Sequence, residues 1–437
     1  MPARSLHIAW LGAGPGVKET GGVPGVATEL LCGLASLGHR IDCFFPGTGH
    51  TIRERLADEE NLTFFWGTSN WRWHRWYNRS KLGVLMTGLF SRGLASLRLR
   101  QEVLRRHRQD PYDVIYQFSN IETLAMPSDL RHKVPLVIHP ETHIAGELRF
   151  LIAERRLALR CQPAYIFAIA VTMMSLRARV QRVRIRRARL LICISSVFRD
   201  HLVRDYGFPR EGTIVVPNPV RLSPFTDADT DRGLGAPPVL VVLGRIAVRK
   251  GVEDVVALAA ALLERKVDVR IRVVGGPSLW SDYTPLLEDL PGENAEYVGR
   301  LPPAQIPAEL ASSDILLQVS RYEPFALTVG EALASGVPVV ATSEVGAVEG
   351  VDSTVAATVK PGDIDAMCEA IVTMIDRLKK SPQAIRSTAR AEAERLFAPD
   401  LVCRRISDAL ERLLEGEKEL AASDHRMTAE PDHAALS

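Results

Sequence analysis

A chain of 437 residues exceeds one typical domain and suits two, each with its own core. The 46% hydrophobic share is that of a globular protein, and a formal charge of +2 excludes a chain-wide electrostatic footprint for nucleic acid. Six scattered cysteines (Cys32, Cys43, Cys161, Cys193, Cys368, Cys403) form no CxxC or Cys/His cluster, which points to buried thiols in a reducing cytoplasm and to no zinc site.

Leu6 to Leu11 predicts a strand, too short for the core of a secretory signal. The glycine-rich loop Gly12 to Gly16, continued by Gly21-Gly22, leads into a helix over Val26 to Leu37, and Ile41 to Phe45 is the second strand. A dinucleotide fingerprint fails in detail, because Val17 stands where GxGxxG wants glycine and Asp42 comes too late for a ribose-binding acid. What remains is a loop that brings backbone amides to an anion at a helix start, or a plain turn. Trp71 to Arg108 interleaves Trp71, Trp73, Trp76 and Tyr77 with basic residues and runs into a basic helix from Leu97 to Arg108. Such a segment suits an anionic membrane surface, and equally a solvated helix packed on a sheet by its apolar stripe.

Tyr112 to Phe118 and Val134 to Ile138 are the next strands, the latter ending on His139. A histidine at the carboxyl end of a parallel strand lies where α/β folds place ligands, although such residues also serve as hydrogen-bonded structural groups. No carboxylate and histidine spacing around His139 and His143 makes a convincing metal site. Glu147 to Arg189 predicts one or two long helices, with an acid-free arginine run from Arg177 to Arg189 beside the apolar Ala164 to Leu176. That run is either a face for lipid or phosphate or a solvated helix face. It falls short of the roughly 20 residues a spanning helix needs, so nothing is expected to cross a membrane. Leu190 to Ile194 is a strand, Ser195-Ser196 caps a helix to about Tyr206, and Thr213 to Val216 is a short strand. Proline-containing polar sequence to Pro238 then reads as a linker.

The second half restarts the rhythm with a strand at Val239 to Leu243, a helix at Val252 to Leu263 and a strand at Val269 to Val274, alternating to about Val359. Two doubly wound α/β domains follow. Gly244-Arg245 ends the first of these strands and Lys250-Gly251 precedes the helix, so a guanidinium fork and an ammonium flank a loop suited to a phosphate pair. In RYEPFALTVGEALASGVPVVAT, Arg321 to Thr342, a helix is expected to begin at Glu323 and to stop at Gly336 before a buried strand. Eight residues of helical rise would part Glu323 from Glu331 by about 12 Å. A glycosidase pair needs about 5 to 9.5 Å, so the two suit opposite ends of one hydroxyl-rich ligand, or are helix-start surface charges.

These segments resemble the family-four class of retaining glycosyltransferases with the GT-B fold, two Rossmann-like domains facing a central cleft. The resemblance covers most of the chain: the Gly21-Gly22 loop, ICISSVFRDHLVRDYG, IVVPNPV, LGRIAVRKG, EYVGRLPPAQIPAELASSDILL and EPFALTVGEALASGVPVVAT. It implies an acceptor-binding domain over 1–218, a linker over 219–238 and a nucleotide-sugar domain over 239–395. A return helix over 396–414 and a disordered tail over 415–437 complete the expectation. It also implies that Arg245 and Lys250 hold the diphosphate, Glu323 contacts the donor sugar, Glu331 contacts the ribose, and Arg300-Leu301 lie beside the base. His139 would line the sugar pocket and Gly21-Gly22 would offer amides, while Gly244, Phe325, Ala326 and Leu327 complete the donor site. The implied partners are a nucleotide sugar and a hydroxyl acceptor (sugar, lipid-linked glycan or small molecule), with no nucleic acid. No cofactor and no metal are implied, which agrees with the lack of a DxD-type carboxylate cluster. Two departures are Ala326, where the family has glycine after Glu-Pro-Phe, and the single Gly346 before Glu349. The alternatives are an inert relative that binds nucleotide sugar or membrane as a scaffold, against which the intact cations and glutamates weigh, and another GT-B activity, an epimerase or a phosphorylase, the latter without a pyridoxal-lysine motif to support it.

Overall fold

The computed structural model describes residues 4–15, 22–45, 56, 59–67, 81–119, 127, 130, 133–153, 155–161, 163–225, 233–277 and 282–428. Residues 16–21, the tryptophan-rich 71–80, linker residues 226–232 and the last residues, 429–437, all used above, lie outside that description.

Short, nearly continuous apolar runs make strands covered on both faces. In the first half these are β1 (His7–Gly12), β2 (Arg40–Phe45), β3 (Leu62–Trp66), β4 (Val114–Phe118), β5 (Leu136–His139), β6 (Leu190–Cys193) and β7 (Thr213–Val215). They pair in parallel in the order β3-β2-β1-β4-β5-β6-β7. The second sheet holds β8 (Val239–Leu243), β9 (Arg270–Val274), β10 (Ala295–Gly299), β11 (Ile315–Gln318), β12 (Val339–Thr342) and β13 (Ala356–Val359). Its order is β10-β9-β8-β11-β12-β13, again parallel. This is the pair of Rossmann-like, doubly wound sheets of the GT-B fold. Strand order reverses between β1 and β4 and between β8 and β11, and at such a switch point a crevice opens beyond the carboxyl ends of the strands.

Helices α1 (Val23–Ser36), α2 (Lys81–Gln109), α3 (Ile144–Ala153), α4 (Arg155–Cys161), α5 (Ala164–Ile185) and α6 (Ser196–Tyr206) join the first set of strands. The second set carries α7 (Val252–Glu264), α8 (Ile306–Ala311), α9 (Leu327–Ala334), α10 (Ile364–Lys380) and α11 (Pro382–Phe397), and α12 (Pro399–Thr428) closes the chain. Three differences from the sequence reading have local causes. Glu147 to Arg189 holds three helices, α3 to α5, and Pro163, which has no N–H to continue the ladder, parts α4 from α5 and stands at the N-cap of α5. Strand β3 was not expected, since Leu62–Trp66 is a five-residue run on the sheet edge beside polar sequence. Helix α12 runs past Leu414 to Thr428, carried by helix-favouring Glu, Lys, Leu and Ala and by an ion pair from Glu417 to Arg189 (2.8 Å).

Helix α12 leaves the second half and packs on α1, where Cys403 sits against Gly33 and Ser407 Oγ lies 2.8 Å from His39 Nε2. Val402, Cys403, Ile406 and Leu410 therefore belong to the core beneath β1 and β2. All six cysteines are free, and Cys161 alone among them is only partly buried.

The second sheet is anchored from below by a fully buried ion pair. Arg386 of α11 donates to Asp314 Oδ1 (2.9 Å), while Asp314 Oδ2 accepts from the amides of Val239 (2.9 Å) and Gly235 (3.3 Å) at the start of β8. Removing one partner strands the other charge in a low-dielectric interior, a loss of about 3–5 kcal/mol. Arg386→Ala is thus expected to lower the urea midpoint of unfolding markedly, and an unchanged midpoint would show that the pair anchors nothing.

Candidate functional site

The site residues of the second half gather at the carboxyl edge of its sheet. Gly244 and Arg245 follow β8, Arg300 and Leu301 follow β10, and Glu323 follows β11. After β8 the chain turns through a short 3-10 segment, Val248–Lys250, into α7. Gly251 makes the turn with φ 75, and a Cβ there would lie 2.2 Å from Val319 O, so the loop closes on β11 only with glycine.

The closeness of the two loops brings Glu323 between cations. Its Oε2 accepts from Arg249 Nη1 (3.0 Å) and forms an ion pair with Lys250 Nζ. Arg249 also donates to Tyr322 O (3.1 Å), and its own carbonyl accepts from Arg321 N (2.9 Å). Burial alone would raise the Glu323 carboxyl, but Lys250 and Arg249 outweigh it and hold the group at about 2, so it stays charged. Burial pushes Lys250 downward, with Arg249 and Arg245 adding to the effect, while Glu323 opposes it. Arg245 is exposed and pairs with no carboxylate among the described residues. A small hollow beneath the loop is lined by Gly244, Arg245, Lys250 and Gln318 at one side and mostly by aliphatic side chains such as Val252 and Leu287.

Glu323 does not start a helix. Its amide donates to Glu344 O and its carbonyl accepts from Gly346 N (both 3.1 Å), so it extends like a strand beside Val345. Helix α9 begins four residues later, after Ala326 at φ 80. The separation of about 12 Å assumed an unbroken helix and does not apply. Ala326 occupies a left-handed conformation that costs a residue with a Cβ about 1–2 kcal/mol, which accounts for glycine being usual there. Phe325 is buried edge-on to Phe397, and Leu327 touches both cores. Glu331 sits within α9, partly buried with no cation on its carboxylate among the described residues, and burial pushes it up to about 7.

On the first sheet, His139 ends β5 with no exposed surface. Its Nδ1 lies 2.7 Å from the Tyr116 hydroxyl and its Nε2 faces Glu141 Oε1 at 3.5 Å. Asn218, where the linker begins, donates to Glu141 Oε2 (2.7 Å). Burial pushes His139 down to about 3 and Glu141 up to about 8, so both are neutral at pH 7. Gly22 caps α1 at φ 74 with open space where a Cβ would stand. Gly21 lies outside the described residues.

Reading from sequence misses several groups that join the two halves. Arg249 Nε approaches Glu147 of α3 at 3.9 Å, and Phe150 stacks on Tyr322 with ring centres 5.3 Å apart. Glu349 accepts from the amides of Ser196 (2.7 Å) and Val197 (2.8 Å) at the start of α6, and Ser195 Oγ donates to Pro324 O (2.8 Å). The one sequence signal for Arg249 was its place beside Lys250; the others depend on long-range approach.

Residues 20–223 match the family model described as Glycosyltransferase Family 4, and residues 237–377 match that described as Glycosyl transferases group 1. The chain is 29% identical over 169 residues to mannosylfructose-phosphate synthase of Agrobacterium fabrum, covering 35% of this chain and 37% of that protein. It is 32% identical over 197 residues to a GDP-mannose-dependent alpha-(1-6)-phosphatidylinositol monomannoside mannosyltransferase of Mycolicibacterium smegmatis, covering 43% and 50%. The matches thus span half or less of these curated relatives. Sucrose-phosphate synthase from Thermosynechococcus elongatus shares the fold at TM-score 0.66 and 18% identity, over 94% of this chain and 100% of that one.

Glu331 generates a pH prediction. Its folded value, about 7, lies above the ordinary carboxyl value of 4.5, so its penalty is absent below pH 4.5 and grows as pH rises to 7. Glu331→Gln should therefore raise the melting temperature at pH 8 and leave it nearly unchanged at pH 4.5. Equal effects at both values would contradict the burial argument.

Proposed function

The chain belongs to the family-four, group 1 glycosyltransferases, and from that premise we propose that it moves a sugar from a nucleotide-diphosphate sugar to a hydroxyl acceptor with retention of anomeric configuration. The observation that carries the proposal is the cationic loop Arg245 to Lys250 held against Glu323 at the switch point of the second sheet. Breaking the anomeric bond puts charge on the departing diphosphate. Arg245, with no carboxylate partner among the described residues, and Lys250 are placed to meet that charge, and they do so in the role a divalent ion would otherwise fill. Glu323 Oε2 orients Lys250 and leaves Oε1 for sugar hydroxyls, while Glu331 serves the ribose and Arg300-Leu301 the base. His139, fixed by Tyr116 and without exposed surface, would reach the sugar only once the groups over it part, with Gly22 offering its amide to the diphosphate. The proton of the attacking hydroxyl goes to the leaving phosphate, so no protein base is assigned.

We also propose an acceptor at an anionic membrane surface, reached from its cytoplasmic face. Among the described residues no helix is long and apolar enough to cross a membrane. Helix α5 nevertheless exposes Tyr165, Ile169, Leu176 and Val183 along one stripe, flanked by exposed Arg177, Arg179 and Arg182. An apolar stripe edged by arginines suits a helix lying in the headgroup layer. Trp71 to Arg108 would add to this surface, and its described part exposes Leu94 and Leu97.

Two measurements test these readings. Purified protein offered a panel of nucleotide sugars should release nucleoside diphosphate, and Arg245→Ala or Lys250→Ala should slow release about 100-fold. Variants that turn over like the wild type would remove the cations from the mechanism. In flotation assays the protein should rise with anionic vesicles and not neutral ones, and Leu176→Asp with Val183→Asp should abolish this; a double variant that still floats would exclude α5 as the contact.

A further inference from the structure

Behind the donor loops, where α3 and α6 meet Tyr322, three side chains converge that the transfer reading does not use. His201 and Asp205 stand four residues apart on α6 and so project from one face of the helix. His143, at the start of α3, completes the group, and one ligand atom from each lies within 4.8 Å of the others. His143 is fully buried; its Nδ1 pairs with the Tyr322 hydroxyl (2.8 Å) and its Nε2, with no hydrogen bond, faces Asp205 Oδ2 at 3.1 Å. An imidazole fixed through one nitrogen and orphaned at the other is the arrangement of a metal-ligating histidine with its outer partner.

We propose that His143, His201 and Asp205 form a binding site for a borderline divalent cation, Zn2+ by the chemistry of its donors. Two imidazoles and a carboxylate suit that ion. Glu344 Oε2, 3.3 Å from His201 Nε2, is the outer partner that fixes this second imidazole, whose Nδ1 is on the Asp205 side. Arg149 and Arg204 pair with Asp205, and Arg204 also donates to His201 Nδ1 (2.5 Å); their side chains are 48% and 55% exposed, so an entering ion would have to displace both heads towards water. Glu344 and Tyr322 come from the second half and the three ligands from the first. The ion would therefore be held by the first half with its outer partners in the second, apart from the cations proposed to meet the diphosphate.

The site is independent of the transfer reading, and it is tested without an activity assay. Full-length protein stripped with chelator and titrated with Co2+ should take up one equivalent with the intense visible bands of a tetrahedral ion, and Zn2+ should displace it. His201→Ala and Asp205→Asn, each shown folded by its melting curve, should weaken Co2+ binding at least about tenfold. His107→Ala, a histidine on α2 outside the cluster, should bind as the wild type does. No bands in the wild type, or equal uptake by wild type, His201→Ala and Asp205→Asn, would overturn the proposal.

Discussion

The site depends on one buried carboxylate being neutralised. Glu323 reaches the carboxyl edge of the second sheet on a strand-like loop, and its charge persists there only because Arg249 and Lys250 close on the same oxygen. Those contacts do two things at once. They bind the loop after β8 to the loop after β11, aided by the backbone bonds of Arg321 and Tyr322 to Arg249 O, and they fix the ammonium of Lys250 in direction. Glu147 faces the same guanidinium from the first half, so two carboxylates meet three cations and the surplus charge resides on Arg245. On the proposed reading, a guanidinium with no carboxylate partner among the described residues, set at a switch point, would meet an anion without prior rearrangement.

The same economy governs the contact between halves. Helix α6 presents its N-terminus, with Ser195 capping Phe198 N, towards the second sheet, and Glu349 accepts from the next two amides. A carboxylate at a helix start is favoured by the dipole and by the unpaired N–H groups there. The match works only because the chain after β12 approaches closely: a Cβ on Gly346 would fall 2.2 Å from Pro324 O. One glycine therefore suffices where a pair is usual, since Val345 lies beside Glu323 in an extended form that any residue can adopt.

Much of this was legible from local pattern. The apolar runs that became β8, β9 and β12, the Ser195 cap, and the left-handed stop at Gly336 are decided within a few residues, and local chemistry sufficed. The failures share a different cause. Placing Glu323 on a helix followed the periodicity of Phe325 to Leu333, but periodicity carries no information about the bridge to Val345 that pulls the chain out of a helix. Arg249 looks like any cation beside Lys250, and only the 3-10 turn, stabilised against β11 by Gly251, aims both at one carboxylate. His139 was legible as a residue at a strand end. Its pairing with Glu141 and Asn218 was not, because Asn218 arrives from the far side of α3 to α6.

The path of the chain limits how the halves can move. It crosses between them twice, once after β7 and again between α11 and α12, and Val220 N donates to Phe397 O (2.9 Å) where the crossings meet. Gly330 of α9 packs at the same point, against Val220 and Phe397. Because α12 then joins the first core through Val402, Cys403 and Ile406, the second crossing cannot lengthen without breaking apolar packing. A pair of adjacent crossings is a pivot, and motion about it changes most the contacts farthest from it. Of the polar contacts between the halves, Glu147 with Arg249 and His201 with Glu344 are long, at 3.9 and 3.3 Å, whereas His143 with Tyr322 and the Glu349 and Ser195 contacts are tight. Opening would release the long contacts first. The charge that Arg249 shares with Glu147 would then turn wholly to Glu323, so closure and the electrostatics of the anion pocket are set by the same guanidinium.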